Sequence, residues 1–313
     1  MSDPTRQRLR VAVLVNATAG TVTRLGAAVL KEELLAAFDA VGIAASVNLL
    51  PGDQLRAVAE QALADARAGR LDAIVVGGGD GSLRTVASVL ANTGVPLGIL
   101  PLGTLNHFAR DLGIPLDLGE AIAVLAEGTV RNVDIGAMNG EIFLNNSSIG
   151  LYPFLVLQRE RRRRREHLPK WAAMLLALPR VLRHLPLFRL IVRVDEWAEA
   201  CRSPLVFIGN NEYQLALPAF GKRERLDGAE LSIYIAKPQS RLAFFRLACR
   251  AVLGLSRPER DLRFVRGRTA DIESRRHHLL VAFDGEVELL RPPLHYKIRP
   301  GALAVFAPVR PES

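Results

Sequence analysis

Cysteine, histidine, lysine and long apolar runs are all scarce in this 313-residue chain. Its two cysteines, Cys201 and Cys249, are too few for a disulfide scaffold and lack zinc spacing, so they read as reduced core thiols of a cytoplasmic protein. The apolar run at residues 11–15 is far shorter than a signal-peptide core, and Trp171 to Leu178 is cut by Pro169 and Pro179. A bilayer span needs about 20 apolar residues, so no transmembrane segment is expected. Six histidines show no metal-ligand spacing; His277-His278 reads as a surface pair before a strand and His107 as a helix-start residue. No internal repeat or low-complexity linker is present, and no basic groove is studded with aromatics in the manner of a single-strand nucleic-acid binder.

What is present is apolar and basic. Hydrophobic residues make up 49% of the chain, enough to offset the entropy of ordering and to exclude disorder. At roughly 150 residues per domain the length suggests two domains. The formal charge is +9, and of the 41 Lys and Arg only five are Lys. Six arginines sit in one block from Arg159 to Arg165, interrupted by Glu160 and followed by Glu166. Such a block suits phosphate backbones, an anionic membrane surface, or plain solvation.

Along residues 1–135, strands at 10–16, 43–50, 71–76 and 96–100 alternate with helices at 25–41, 54–68, 83–91, 106–112 and 118–127. Strands separated by such helices need crossover connections, which predicts an α/β domain on a parallel sheet covered on both faces. From 136 to 295 the texture changes to strands near 141–147, 188–195, 204–209, 229–236, 268–272, 279–283 and 287–290, with helical insertions at 154–185 and 241–253. Asp284-Gly285 between alternating apolar segments is a hairpin signal. The second domain is expected to be an antiparallel β-sandwich, and residues 296–313, ending in an apolar strand, are expected to complete the first domain.

The sharpest local feature is the run from Leu71 to Ser82, an apolar strand entering Gly77, Gly78, Gly79, Asp80, Gly81 and Ser82. Glycines let a backbone approach a ligand, and the following helix offers its N–H groups and positive dipole end, so the turn suits a phosphate. It is not a Walker loop, because Gly81 is followed by Ser82-Leu83, nor a dinucleotide fingerprint, because Arg84 stands where a small residue belongs. A second turn, Pro101-Leu102-Gly103-Thr104-Leu105-Asn106, ends the next strand, with Thr104 placed to cap its helix. A third, from Val15 to Thr21, ends the first strand.

These motifs, with Phe108-Ala109, Asn145-Asn146-Ser147, Gly209-Asn210, Pro218-Ala219, Leu226-Asp227-Gly228 and Phe283-Asp284-Gly285-Glu286, resemble the diacylglycerol kinase catalytic domain of the soluble bacterial lipid kinases and the sphingosine kinases. The glycine-Asp-glycine piece alone is shared with NAD kinases and phosphofructokinases. The resemblance implies a two-domain fold, ATP in the cleft and transfer of its γ-phosphoryl group to a lipid hydroxyl. It assigns ATP contacts to Gly78, Gly79, Asp80, Gly81, Ser82, Leu83, Arg84 and Thr104, with Asn16 in the first turn and Asn48 where relatives carry a nucleotide-contacting Thr. It makes Glu286 the proton acceptor and places a structural Mg²⁺ on Asp227 and the carbonyls of Glu224 and Ala229; on chemical grounds Asp80 is expected either to orient the loop or to hold Mg²⁺ through water. The chain departs from the family at Ser82, Arg84, Thr85 and His107, where Thr, Asn, Glu and Asp are usual, and lacks a proline after Asn16.

Phosphoryl transfer asks mainly for positioning and positive charge, and a lipid alcohol benefits from a nearby carboxylate. The plainer reading of Asp227-Gly228 and Asp284-Gly285 is a turn that needs Asp-Gly for its backbone. Cations followed by the Trp171-bearing apolar stretch are the components of peripheral contact with an anionic membrane, against an ordinary solvated helix end. The expectation is a membrane-visiting lipid kinase without nucleic-acid partner and with oligomerisation open. The alternatives are a kinase of a soluble acceptor, as in NAD kinase, and a non-catalytic regulatory or nucleic-acid-binding protein on a kinase fold.

Overall fold

A computed structural model of the chain describes residues 8–19, 26–153, 187–214, 221–237, 243 and 261–309. The arginine block at 159–165 with the apolar stretch behind it, Gly20, Thr21, Pro218, Ala219, Cys249 and nearly all of both helical insertions lie outside the described residues. Two compact units emerge: residues 1–135 with 299–313, and residues 136–298.

The first unit holds a parallel sheet in the order β2-β1-β3-β4-β16, formed by β1 (Arg10–Asn16), β2 (Ala44–Leu50), β3 (Ala73–Gly78), β4 (Leu97–Pro101) and the second half of β16 (Leu294–Ala307). Strands β3 and β4 are buried along their whole length, the pattern of a sheet covered on both faces. The final strand joins β4 in parallel, pairing Val305 with Leu97. Its cover comes from α1 (Ala27–Ala40), α2 (Leu55–Arg67), α3 (Asp80–Leu90), α4 (His107–Asp111) and α5 (Leu118–Glu127). Helix α1 buries Leu30, Leu34 and Phe38, four residues apart and hence on one face. Arg10 pins the start of β1 to Asp72, its guanidinium bonding both carboxylate oxygens at 3.0 and 2.8 Å.

The second unit pairs the strands described below in antiparallel fashion. One sheet runs β12-β11-β10-β7-β14-β15 and the other includes β13-β8-β9 beside the first half of β16. Their ranges are β7 (Asn146–Gly150), β8 (Phe188–Val194), β9 (Trp197–Ser203), β10 (Leu205–Asn210), β11 (Leu231–Ala236), β12 (Leu262–Gly267), β13 (Thr269–Ser274), β14 (Leu279–Phe283) and β15 (Glu286–Leu290). Residues of both sheets meet in one core, with Val192, Val194 and Ile272 against Ile208, Ile233 and Val281. This is the expected α/β unit followed by an antiparallel sandwich.

Several local readings are corrected. Strands β5 (Thr129–Met138), β9 and β12 were not foreseen, and the strand expected at 141–147 is two, β6 (Glu141–Phe143) and β7, broken at Leu144-Asn145. Helix α3 begins at Asp80 rather than Leu83, with Gly79 as its N-cap. Thr104 does not cap α4: the N-cap is Asn106, in the left-handed region at φ 50°.

Candidate functional site

The glycine turn is built by close approach of two neighbouring strand ends. In the β3–β4 register Gly78 stands beside Pro101, so the turns that follow leave the sheet side by side. A Cβ on Gly103 would lie 2.4 Å from Gly79 Cα and 2.6 Å from Asn106 Oδ1, contacts only glycine avoids. A Cβ on Gly77 would meet Leu102 and Val15 at 3.0 and 3.1 Å. Main chain of both turns therefore forms the wall here, and the N-terminus of α3 opens onto it. Leu83 N–H is the first to bond within the helix, to Gly79 O, so the amides ahead of it point from the helix end with the positive pole of its dipole.

Side chains tie the three turns together. Asn16 Nδ2 donates to Ser82 Oγ at 2.8 Å, while Asn16 Oδ1 accepts from the Thr18 N–H and hydroxyl. The Asp80 carboxylate accepts from the backbone N–H groups of His107 and Phe108 at 3.3 and 3.2 Å, so it clamps the second turn and caps α4. Asn106 is buried; its Nδ2 donates to Pro101 O and Gly103 O, and its Oδ1 has no hydrogen-bond partner among the described residues. Asn16, Gly78, Gly79, Asp80 and Ser82 thus come together around Gly103. Leu83 is buried in the core, Arg84 is half-buried in the second turn of helix α3, and Thr104 is exposed in the loop between β4 and α4. Asn48 is exposed on edge strand β2 in register with Leu14, and no described hydrogen bond joins it to the turn.

A second polar cluster belongs to the second unit. Asp284 and Gly285 form the two-residue hairpin between β14 and β15 with φ of 45° and 90°, the doubly positive turn that Asp-Gly favours. The Asp284 carboxylate accepts from the N–H groups of Leu144, Asn145 and Asn146 at 2.7–3.2 Å, filling the break between β6 and β7. Arg223, only 4% exposed, binds the other side of that segment: it donates to Leu144 O, Asn210 O and Asn145 Oδ1 at 2.7, 3.0 and 2.8 Å. Its guanidinium also lies 5.3 Å from the Tyr213 ring centroid. Glu286 follows this braced turn as the first residue of β15 and is exposed.

Arg223 was missed from sequence, because within Lys222-Arg223-Glu224-Arg225 it looks like solvated charge. Of the expected metal ligands, Asp227 accepts from Arg225 Nε at 3.1 Å and Glu224 from Gln214 Nε2. Ala229 adopts φ 56°, uncommon for a residue with a Cβ, beside Gly228, whose N–H is held by Asn211 Oδ1. Carboxylate and main-chain oxygens are the donors that Mg²⁺ prefers, so the set fits a hard cation by its chemistry. Among the described residues no three His, Cys, Asp or Glu gather as a metal cluster, leaving carbonyls to complete any such site. Cys201 is unsuited to nucleophilic work, since burial and then Glu199 push its thiol up to about 11.

Fold and turn define the class: an α/β domain whose glycine turn exposes main chain and a helix end, joined to a β-sandwich. Residues 10–138 match the diacylglycerol kinase catalytic domain. Over those residues, which are under half of the chain, the protein is similar to the diacylglycerol kinase catalytic-domain family. A Pseudomonas aeruginosa (strain UCBPP-PA14) protein named "Probable lipid kinase YegS-like" is 47% identical over 110 residues, 34% of each chain. A Mycobacterium tuberculosis (strain CDC 1551 / Oshkosh) protein named "Diacylglycerol kinase" is 35% identical over 196 residues, 60% of this chain and 62% of that one. The matches thus span from a third to under two thirds of these relatives. A crystal structure of a diacylglycerol kinase from Bacillus anthracis str. Sterne shares the fold with a TM-score of 0.65 at 24% identity, covering 95% of this chain and 96% of that one. No helix among the described residues is long and apolar enough to cross a membrane.

Proposed function

We propose that the protein transfers the γ-phosphoryl group of ATP to the hydroxyl of a lipid alcohol. The observation that carries this reading is the apposition of Gly79 and Gly103 beside the α3 N-terminus, a main-chain wall without side chains and with amides directed outward. The match of residues 10–138 to the diacylglycerol kinase catalytic domain supports it.

On this reading the phosphates lie against Gly78, Gly79, Gly81 and Ser82, where helix amides and dipole stabilise their charge. Asp80 fixes the distance between the two turns, Asn16 orients the Ser82 hydroxyl, and Arg84 and Thr104 contribute from the rim. The lipid oxygen bonds to the γ-phosphorus, the bond to the oxygen that leaves with ADP breaks, and Glu286 takes the hydroxyl proton. Asp284 and Arg223 hold the turn that presents Glu286. Asp227, with the carbonyls of Glu224 and Ala229, is assigned a structural Mg²⁺, which would neutralise the carboxylate and brace that turn. The block at 159–165 is assigned to attraction toward an anionic membrane, worth about 1 kcal/mol per basic residue near the surface.

The test is Glu286→Gln, assayed for both nucleotide binding and phosphorylated product. Loss of general-base help is expected to lower turnover by roughly 10²–10⁴-fold, with ATP affinity within about twofold by equilibrium dialysis. Unchanged turnover removes the assignment of Glu286.

A further inference from the structure

A cationic hollow on the second unit is lined by none of the residues assigned above. Arg275, Arg276, His277, His278 and Arg291 surround a cavity of about 510 Å³, and no carboxylate is among its lining residues. It shares Ser274 and Arg275 with a second hollow of about 900 Å³, which adds Arg189, Arg202 and Arg263. The second hollow has two acids, and both are engaged: Glu199 with Arg263 at 3.4 Å and Glu273 with Arg193. Arg189, Arg202, Arg275, Arg276 and Arg291 have no carboxylate partner among the described residues.

Two features show that this charge is held in place rather than scattered. Arg189 and Arg202 stand directly opposite each other across the β8–β9 pair, a like-charge juxtaposition that works against the sheet. In the first hollow, side chains without carboxylates hold the guanidinium groups. Arg276 lies 4.5 Å from the centroid of the Phe188 ring, and Arg291 Nε donates to His278 Nε2 at 3.3 Å. Stacking and an imidazole nitrogen orient these forks without a carboxylate to compensate their charge.

We propose that the joined hollows form a phosphate-anion site, taking a phosphomonoester or phosphodiester group. Several guanidinium forks offer more donors than the two oxygens of a carboxylate can accept, whereas a phosphate presents three or four oxygens and matches the fork in bidentate fashion. The lining contains no Phe, Tyr or Trp, the larger rings on which bases stack, which disfavours single-stranded nucleic acid. The site stands independently of the glycine turn and of the proposed phosphoryl transfer. The same chemistry is offered by free phosphate and by a lipid headgroup.

The experiment compares the full-length chain with Arg276→Ala/Arg291→Ala and Arg276→Lys/Arg291→Lys. Inorganic phosphate is titrated by calorimetry, and phosphatidylcholine vesicles with and without phosphatidylglycerol are used for co-sedimentation. Because the glycine turn is intact in every variant, the difference from the parent reports the hollow. The alanine pair is expected to lose at least tenfold in affinity and the lysine pair to lose less, with binding falling as salt rises. A loss seen with phosphate assigns a small soluble anion, and a loss confined to phosphatidylglycerol vesicles assigns a headgroup; either supports the site. Parent and alanine pair binding both probes equally overturns it, as does RNA binding lost in the alanine pair while both probes are unaffected. Should the alanine pair not fold, Arg189→Ala/Arg202→Ala, which removes a repulsive pair, carries the same readout.

Discussion

Gly103→Ala tests the wall of the glycine turn with a single methyl group. The new carbon would sit 2.4 Å from Gly79 Cα, 2.6 Å from Asn106 Oδ1 and 3.0 Å from Gly79 N. Carbon atoms in ordinary contact stand about 3.5–4.0 Å apart, so the two turns must part by roughly 1 Å or more. The neighbour is backbone and cannot rotate away. Overpacking of this kind costs about 1–3 kcal/mol, but misplacing a phosphate cradle by about 1 Å costs near 10²-fold in rate. ATP turnover is therefore expected to fall about 100-fold, with the melting temperature lowered by only about 2–4 °C per kcal/mol. Gly98→Ala supplies the contrast: its Cβ would meet Leu125 Cδ2 at 2.5 Å and Val75 Cγ2 at 2.9 Å, both side-chain atoms inside the core. It should lower stability while sparing turnover of the folded fraction. Turnover and nucleotide affinity of Gly103→Ala both within twofold of the parent would refute the placement of the cradle.

Three further outcomes are expected. Thr104→Ala should leave thermal stability within about 0.5 kcal/mol, because Thr104 is exposed and the first α4 amides are held by Asp80, while weakening ATP binding; a stability loss near 1 kcal/mol would restore the capping role. Asp284→Ala should destabilise the second unit by several kcal/mol in denaturant titration, since three backbone N–H groups lose their acceptor at about 1–3 kcal/mol each; a loss under 1 kcal/mol would contradict the brace. Asp195 is held below the usual carboxylate range: burial opposes this, but the Arg268 and Thr269 N–H groups and the Thr269 hydroxyl outweigh it. A depressed folded-state value stabilises above the ordinary carboxylate pKa of about 4 and loses that contribution as pH falls through the folded value, so Asp195→Asn should flatten the acid limb of a melting-temperature profile. An unaltered acid limb would reject the role of these bonds.

Periodicity made the first unit legible, because its strands are buried on both faces and read as apolar runs. The Asp284-Gly285 hairpin was legible for a different reason, since few residue pairs accept two positive φ values in succession. Strands β9 and β12 were not, because Glu199 and Arg202, like Arg263 and Arg266, stand three apart and put charge on both faces of their strands, so no period-2 apolar signal separates them from loop. Helix α3 was started too late because Gly81 and Ser82 are weak helix formers, yet packing carries the helix back to Asp80. Clamps reaching across the chain escape local reading altogether. Asp80 is 27 residues from the His107 amide it caps, and Arg223 is 78 from Asn145. Their local surroundings look like any charged turn.

Incubation with radiolabelled ATP and a total lipid extract, followed by organic extraction, tests the central claim most directly. The account predicts a labelled, chloroform-soluble phosphate ester formed by the parent protein and absent with Glu286→Gln. Label that remains only in water-soluble products, or a lipid product formed equally by the variant, would contradict it.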